Sequence, residues 1–189
     1  MTAPAILTVI GPDRPGLTQE VAAAVMEVGG NWLESHLSSM AGMFVGAVHV
    51  ELPGSMLTAL EERLAALQTD RLKITVVPVS EVAGLPDAEQ LLFLELVGQD
   101  RPGIVQEVTS ALAGIRVNIA TFESAVEDSS WSGAKLFRAT AELLLPPEVS
   151  ETQVREVLEG LSGEIMVDLD AVEDGPIIPR PDPTPASTT

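Results

Sequence analysis

The chain has 189 residues, of which 46% are hydrophobic and 20% are charged, so it holds enough apolar material for two small cores. Its 28 acidic and 10 basic residues give a formal net charge of −18, which disfavours direct binding to DNA, RNA or an anionic membrane surface. The lack of cysteine rules out disulfides, thiol catalysis and thiolate metal sites, and two histidines are too few for a histidine-rich metal centre. We therefore expect neither a metal nor a cofactor.

The apolar runs are short. No basic segment or cleavage pattern accompanies the first of them, and none reaches the roughly 20 residues that a membrane helix needs. These features predict a cytoplasmic protein that does not enter a membrane.

One segment of the chain occurs twice. Residues 11–21 read GPDRPGLTQEV and residues 98–108 read GQDRPGIVQEV, so eight of eleven positions are identical at an offset of 87. The same offset aligns Ala24 with Ala111 and Asn31 with Asn118. We therefore predict two copies of one module, at 1–82 and 90–173, with a linker at 83–89 and a proline-rich disordered tail at 174–189.

The first copy contains the pattern of a small α+β module. A branched apolar run at 5–10 predicts a strand, and the glycine turn leads into a helix with an apolar stripe formed by Leu17, Val21, Ala24, Val25 and Val28. Extended segments at 31–41 and 43–52 predict a hairpin. A second helix follows with Leu57, Leu60, Leu64 and Leu67 on one face, and a last strand alternates through Leu72, Ile74 and Val76.

The second copy repeats this order. A strand is predicted at 91–97, a hairpin at 117–127 and 134–145 around a polar loop at 128–133, and a last strand from Ile165 to Leu169. The two helices carry Ile104, Val108, Ala111, Leu112 and Ile115, and then Val154, Val157, Leu158 and Leu161. The order βαββαβ is the split βαβ arrangement, so we predict an α+β protein with two ferredoxin-like modules in tandem.

The repeated glycine turn does not match the common nucleotide-binding motifs. Gly11 and Gly16 have the spacing of a phosphate-binding loop, but Leu17 stands where that motif requires lysine, and Ile104 stands there in the second copy. The dinucleotide motif GxGxxG does not occur. A tight turn from a strand into a helix remains, and the free amides at such a helix end bind anions, including a carboxylate.

Two pairs of polar residues, one at the turn and one after the first helix, allow two interpretations each. Asp13 and Asp100 either cap the helix that follows or contact a ligand directly. Asn31 and Asn118 either accept an unusual backbone angle or hydrogen-bond the amino or carboxyl group of a ligand.

Other polar residues favour a structural role. Arg14 and Arg101 are expected to be solvated or paired with a nearby carboxylate. His36 and His49 have no partner at a metal-binding spacing, so neither is expected to be a ligand.

The repeated motif resembles the ACT domain, a regulatory module that binds amino acids. The resemblance rests on Gly-x-Asp-Arg-Pro-Gly-[Leu/Ile], an apolar helix and an Asn fifteen residues beyond the second Gly, all within βαββαβ. The tandem pair further resembles the glycine cleavage system transcriptional repressor family, through 31–37 (NWLESHL) followed by Gly42 and Phe44, and through Leu136-Phe137 leading to Leu145-Pro146.

The resemblance implies where a ligand binds. In ACT domains that bind amino acids, the ligand lies between the first turn and a neighbouring module, held by turn amides and by the Asn that begins the second strand. The ligand-binding residues implied are Asp13, Gly16, Leu17 and Asn31 in the first copy and Asp100, Gly103, Ile104 and Asn118 in the second. Trp32 stands where a smaller residue is usual, so we expect a narrower first pocket and two sites of unequal affinity.

The leading hypothesis is a non-enzymatic regulator that binds a small amino acid, glycine or serine, and controls a protein partner as a transcriptional repressor. A second is an accessory regulatory subunit of an amino-acid metabolic enzyme, and a third is an interaction scaffold with vestigial pockets. Apolar strand residues such as Phe93, Val97 and Leu136 lack an obvious cover, so we expect a homodimer.

Overall fold

The structure is a computed structural model that describes residues 2–79, 90–128, 135–161 and 165–171. The chain divides into two compact units, Met1–Ala83 and Gly84–Thr189. The predicted linker at 83–89, nearly all of the predicted loop at 128–133 and the predicted tail at 174–189 lie outside the described residues.

Module 1, the first unit, follows the predicted order. Its elements are β1 (Thr2–Pro12), α1 (Leu17–Glu27), β2 (Asn31–Met40), β3 (Met43–Pro53), α2 (Leu57–Leu67) and β4 (Lys73–Pro78), with a short 3₁₀ turn (Gly54–Met56) before α2. β1 is longer at both ends than the predicted strand at 5–10, because β3 pairs with it along its whole length from Thr2 to Pro12.

Module 2, the second unit, has the same order. Its elements are β5 (Gln90–Gln99), α3 (Ile104–Gly114), β6 (Asn118–Asp128), β7 (Lys135–Leu145), α4 (Glu151–Glu159) and β8 (Ile165–Ala171). Ser150 and Gln153 form a reciprocal capping box at the start of α4.

Each module contains one four-stranded antiparallel sheet. The strand orders are β2-β3-β1-β4 and β6-β7-β5-β8. Because β1 and β2 both pair antiparallel with β3, they run in the same direction, and α1 connects them as the crossover helix. The predicted α+β fold with two ferredoxin-like modules in tandem is confirmed.

Each module has its own hydrophobic core between its sheet and its helices. In module 1, alternate residues of β1 pack with the apolar faces of α1 and α2, and Leu7 and Leu60 are fully buried. Leu96 and Leu158 occupy comparable fully buried positions in module 2. Burying side chains of this size supplies about 1.5–3 kcal/mol each, which explains why each repeat can form a compact unit.

The opposite sheet face of each module is partly apolar. Residues that alternate with the core positions of β1 and β5 point to this face, and among them Ile10 and Phe93 are exposed. Val97 and Leu136 are half-buried. The expectation that apolar strand surface lacks a complete cover within each module is therefore confirmed for Phe93.

Candidate functional site

The repeated turn connects the first strand of each module to its first helix. Gly16 precedes α1 with φ 87°, and Gly103 precedes α3 with φ 92°. This left-handed conformation is accessible to glycine at little cost and is unfavourable for other residues. Both turns therefore need their second glycine.

The two aspartates of the turns do not cap the helices. The N-cap residues are Gly16 and Gly103, and neither helix has a side-chain cap hydrogen bond. The capping interpretation of Asp13 and Asp100 is thus wrong, because a left-handed glycine occupies the cap position in each copy. Direct ligand contact by either aspartate remains a prediction.

Backbone hydrogen bonds fix both turns to the neighbouring hairpin. The Asp13 N–H donates to the Gly42 carbonyl at 3.1 Å, and the Asp100 N–H donates to the Lys135 carbonyl at 2.9 Å. The turn is therefore held in place by the main chain and not by the aspartate side chains.

An ion pair spans the start of each helix. Arg14 donates two hydrogen bonds to Glu20, of 2.7 and 2.5 Å. Arg101 donates two to Glu107, of 2.6 and 2.5 Å. The expectation that both arginines pair with a nearby carboxylate is confirmed, and the pairing is bidentate in both copies.

These pairs shift the acidity of their members. The hydrogen bond from Arg14 lowers the pKa of Glu20, and the same bond raises the pKa of Arg14. The hydrogen bond from Arg101 lowers the pKa of Glu107. Each pair is therefore charged on both sides at neutral pH and offers little net charge to a ligand.

The first helical amides are available for binding. At the start of α1, the amides of Thr18 and Gln19 have no hydrogen-bond partner among the described residues, and those of Val105 and Gln106 at the start of α3 are in the same state. Such amides form an electropositive end that accepts a carboxylate.

Leu17 and Ile104, the first residues of these helices, are buried in the two cores, with exposed fractions of 1% and 3%. Their side chains anchor the helix starts. Their contribution to a polar ligand is therefore restricted to the backbone.

Asn31 and Asn118 lie at the other end of each sheet. Asn31 pairs with Glu51, and Glu51 pairs on its other side with Pro4, whereas the turn follows Pro12. Pro4 and Pro12 are eight residues apart along β1, so at about 3.3 Å per residue the two ends are about 26 Å apart. Asn118 has the same placement, opposite Leu144. No single module brings its turn and its Asn to one ligand.

Trp32 and Asn31 have different surroundings. Trp32 pairs with the buried Val50, is partly buried and packs against the core of module 1, whereas Asn31 is exposed. This packing does not locate the first ligand pocket, so its expected narrowing by Trp32 stays a prediction.

Both histidines lie on β2 and β3, outside the turn. His36 Nε2 is 3.2 Å from Glu34 Oε1. The described residues contain no group of three or more His, Asp or Glu that could hold a metal, and none of their helices is long and apolar enough to cross a membrane.

Sequence reasoning missed the acidic partners Glu20 and Glu107. They stand six residues after Arg14 and Arg101 in both copies. Their shared position in the repeat was the signal that could have identified them.

The family model of the ACT domain matches residues 3–77 and 90–170, which together include most of the chain and both turns. The chain belongs to the ACT-domain family. This match confirms the predicted family. ACT domains bind amino acids and have regulatory roles. No curated protein matches the chain.

Two solved structures match this chain over nearly its whole length. A protein of unknown function from Galdieria sulphuraria is 26% identical, with 91% of this chain and 99% of that chain covered and a TM-score of 0.74. A protein provisionally assigned as a glycine cleavage system transcriptional repressor is 19% identical, with coverage of 92% and 99% and a TM-score of 0.69. At 19% identity, the likeness to the second protein concerns the fold alone.

Proposed function

We propose that this ACT protein is a non-enzymatic, cytoplasmic regulator that binds a small amino acid and controls a protein partner. Glycine and serine are the proposed ligands, and transcription of glycine cleavage or related amino-acid metabolism is the proposed process. The provisional role of the second structural neighbour supports this assignment.

One observation carries the proposal: the turn is built identically in both modules. Gly16 and Gly103 have the same left-handed backbone, and a bidentate Arg–Glu pair closes each turn. A connection between strand and helix needs neither the pair nor its repetition. The repeated construction is that of an anion-binding helix start, and a free amino acid carries a carboxylate.

The preference for a small ligand follows from the packing of the helix starts. Leu17 and Ile104 are buried, so the turn presents backbone and little side-chain surface. A ligand held by amides close to the main chain has little room for a large side chain, which favours glycine and serine over larger amino acids.

The opposite positions of turn and Asn require a second module at each ligand. Because about 26 Å separates Asn31 from the turn in module 1, a turn and an Asn can touch one ligand only when another module, of the same chain or of a second chain, contributes one of them. We further propose a homodimer, which the exposed apolar residues Ile10 and Phe93 on the open sheet faces support. Light scattering should report a dimer when glycine is bound, and a monomer that binds glycine would contradict the proposed dimer.

Ion pairing at the turn supports a binding role over a catalytic one. The pKa of Arg14 is raised and those of Glu20 and Glu107 are lowered, so all three move away from neutrality. Acid–base catalysis uses groups with pKa values near the working pH. The net charge of −18 further supports regulation through a protein partner and not through direct contact with DNA.

Calorimetry with an amino-acid panel tests the ligand. Glycine and serine should release or absorb heat, while leucine and phenylalanine should not. Asn118→Ala and Asn31→Ala should each weaken binding, and Ser124→Ala and Ser38→Ala, exposed residues on the same strands, should not. If no amino acid binds at about 10 mM, where even weak ligands occupy a site, the proposal is wrong.

Co-purification tests the partner. The tagged full chain should recover a transcription factor, in an amount that depends on glycine. Recovery of a single amino-acid metabolic enzyme would instead support the accessory-subunit hypothesis.

A further inference from the structure

Module 1 contains a cavity beside the start of α1. A cavity of about 200 Å³ lies between the start of α1 and the segment that joins α2 to β4. Its lining residues are Pro12, Arg14, Leu17, Thr69, Arg71 and Leu72. The antiparallel pairing of β1 with β4, with Ile10 opposite Lys73, brings these two segments together.

The floor of this cavity is apolar. Leu17 and Leu72 are buried, and Pro12 is half-buried at the edge. Leu72 reaches its place because Gly11 has no side chain: a Cβ there would lie 2.7 Å from Leu72 Cδ1. The floor therefore suits a short aliphatic group.

The rim carries two arginines and a threonine hydroxyl group. Arg14 is held by Glu20, but the Arg71 guanidinium has no hydrogen-bond or ion-pair partner among the described residues. Thr69 Oγ1 accepts from the N–H groups of Arg71 and Leu72, at 3.3 and 3.0 Å. Within the described part of the chain no acceptor takes the Thr69 hydroxyl proton, so this group can donate to a ligand.

We propose that this cavity binds a small aliphatic carboxylate. The carboxylate accepts hydrogen bonds from Arg71 and from the Thr69 hydroxyl, while its alkyl group lies on the floor formed by Leu17 and Leu72. A guanidinium binds a carboxylate through charge-assisted hydrogen bonds, and the apolar floor disfavours inorganic phosphate, which would lose hydration over it. This site adjoins the proposed amino-acid site, with which it shares Leu17, and differs from it in using Thr69, Arg71 and Leu72.

The sequence of module 2 has no arginine at the position that corresponds to Arg71. β4 and β8 have equivalent registers, because Ile10 pairs with Lys73 and Val97, its counterpart in the repeat, pairs with Met166. This alignment matches Arg71 with Glu164 in the sequence.

Calorimetry with isovalerate on the full chain tests the proposal, with isovaleramide as the uncharged analogue. The wild-type protein should bind isovalerate with a dissociation constant of about 1 mM, typical of a small ligand held by one charged contact. Arg71→Gln should weaken binding about tenfold or more, because it removes a hydrogen-bonded charge. Arg116→Gln, which removes an exposed cation of module 2, should leave binding unchanged.

The outcomes separate this site from the amino-acid site. Asn118→Ala should weaken glycine binding and leave isovalerate binding unchanged. The carboxylate proposal is overturned if isovalerate does not bind at about 10 mM, if Arg71→Gln binds it as well as the wild type does, or if isovaleramide or inorganic phosphate binds equally tightly.

Discussion

Gly29 and Arg116 occupy the same position of the two modules, and both have a left-handed backbone, with φ 72° and 61°. The position follows the first helix of each module: the Gly29 N–H donates to Met26 at 2.9 Å and the Arg116 N–H donates to Ala113 at 3.0 Å. Glycine adopts this backbone conformation freely, whereas a residue with a side chain adopts it at a cost in free energy. The Arg116 side chain is 84% exposed and lies 3.8 Å from Glu148, a contact that stabilises little.

Replacing Arg116 with glycine should therefore stabilise module 2. We expect Arg116→Gly to raise its free energy of unfolding by about 1 kcal/mol, and Gly29→Ala to lower that of module 1 by a similar amount. Urea unfolding followed by circular dichroism measures both. A lower midpoint for Arg116→Gly would show that its side chain contributes more than the backbone strain costs.

Acid should weaken the ion pairs at the two turns. The folded-state pKa values of Glu20 and Glu107 are lowered by their hydrogen bonds to Arg14 and Arg101, so they lie below the unfolded value of about 4.3. Their stabilisation is present above that pH and is lost as the pH falls through the folded pKa values.

The double variant Glu20→Gln/Glu107→Gln should thus be less stable than the wild type at neutral pH and should approach it in acid, as the pH falls through the folded-state pKa values of the two glutamates. Urea midpoints measured across this range test the expectation. Glu61→Gln, at an exposed position of α2, is the control and should follow the wild type. If the double variant remains less stable than the wild type by the same amount in acid, the two ion pairs are not the cause of the difference.

Gly46 is needed where β3 pairs with β2, opposite Leu37. A Cβ at this position would lie 2.8 Å from Leu37 Cα, too close for the paired strands. Gly46→Ala should destabilise module 1 by about 1–3 kcal/mol, as overpacking does. Gly114→Ala in α3, where a Cβ meets nothing within 4 Å, should instead be neutral or stabilising. Equal urea midpoints for Gly46→Ala and Gly114→Ala would contradict the close approach of Gly46 to Leu37.

The sequence predicted the fold because the repeat shows each element twice. The apolar stripe from Leu17 to Val25 and the alternation through Ile74 are local signals, and both are confirmed by burial. The ends of β1 were not predicted, since they depend on pairing with β3, which is distant in the sequence.

The candidate site was less predictable. The glycines of the turn follow from local backbone requirements, but the separation of Asn31 from Asp13 follows from the sheet order. The cavity at Arg71 was missed because β1–β4 pairing joins its two segments. The strand order determines both the separation of Asn31 from Asp13 and the position of the cavity, and a local sequence pattern does not specify that order.

Amide NMR with glycine shows directly whether the helix starts bind an amino acid. On titration into the full chain, the amides of Thr18 and Gln19 or those of Val105 and Gln106 should shift with saturation. Asn118→Ala should reduce the shifts at the turn of the module that shares a ligand with Asn118. Saturable shifts confined to residues away from both turns, or no shifts at about 10 mM glycine, would contradict the account.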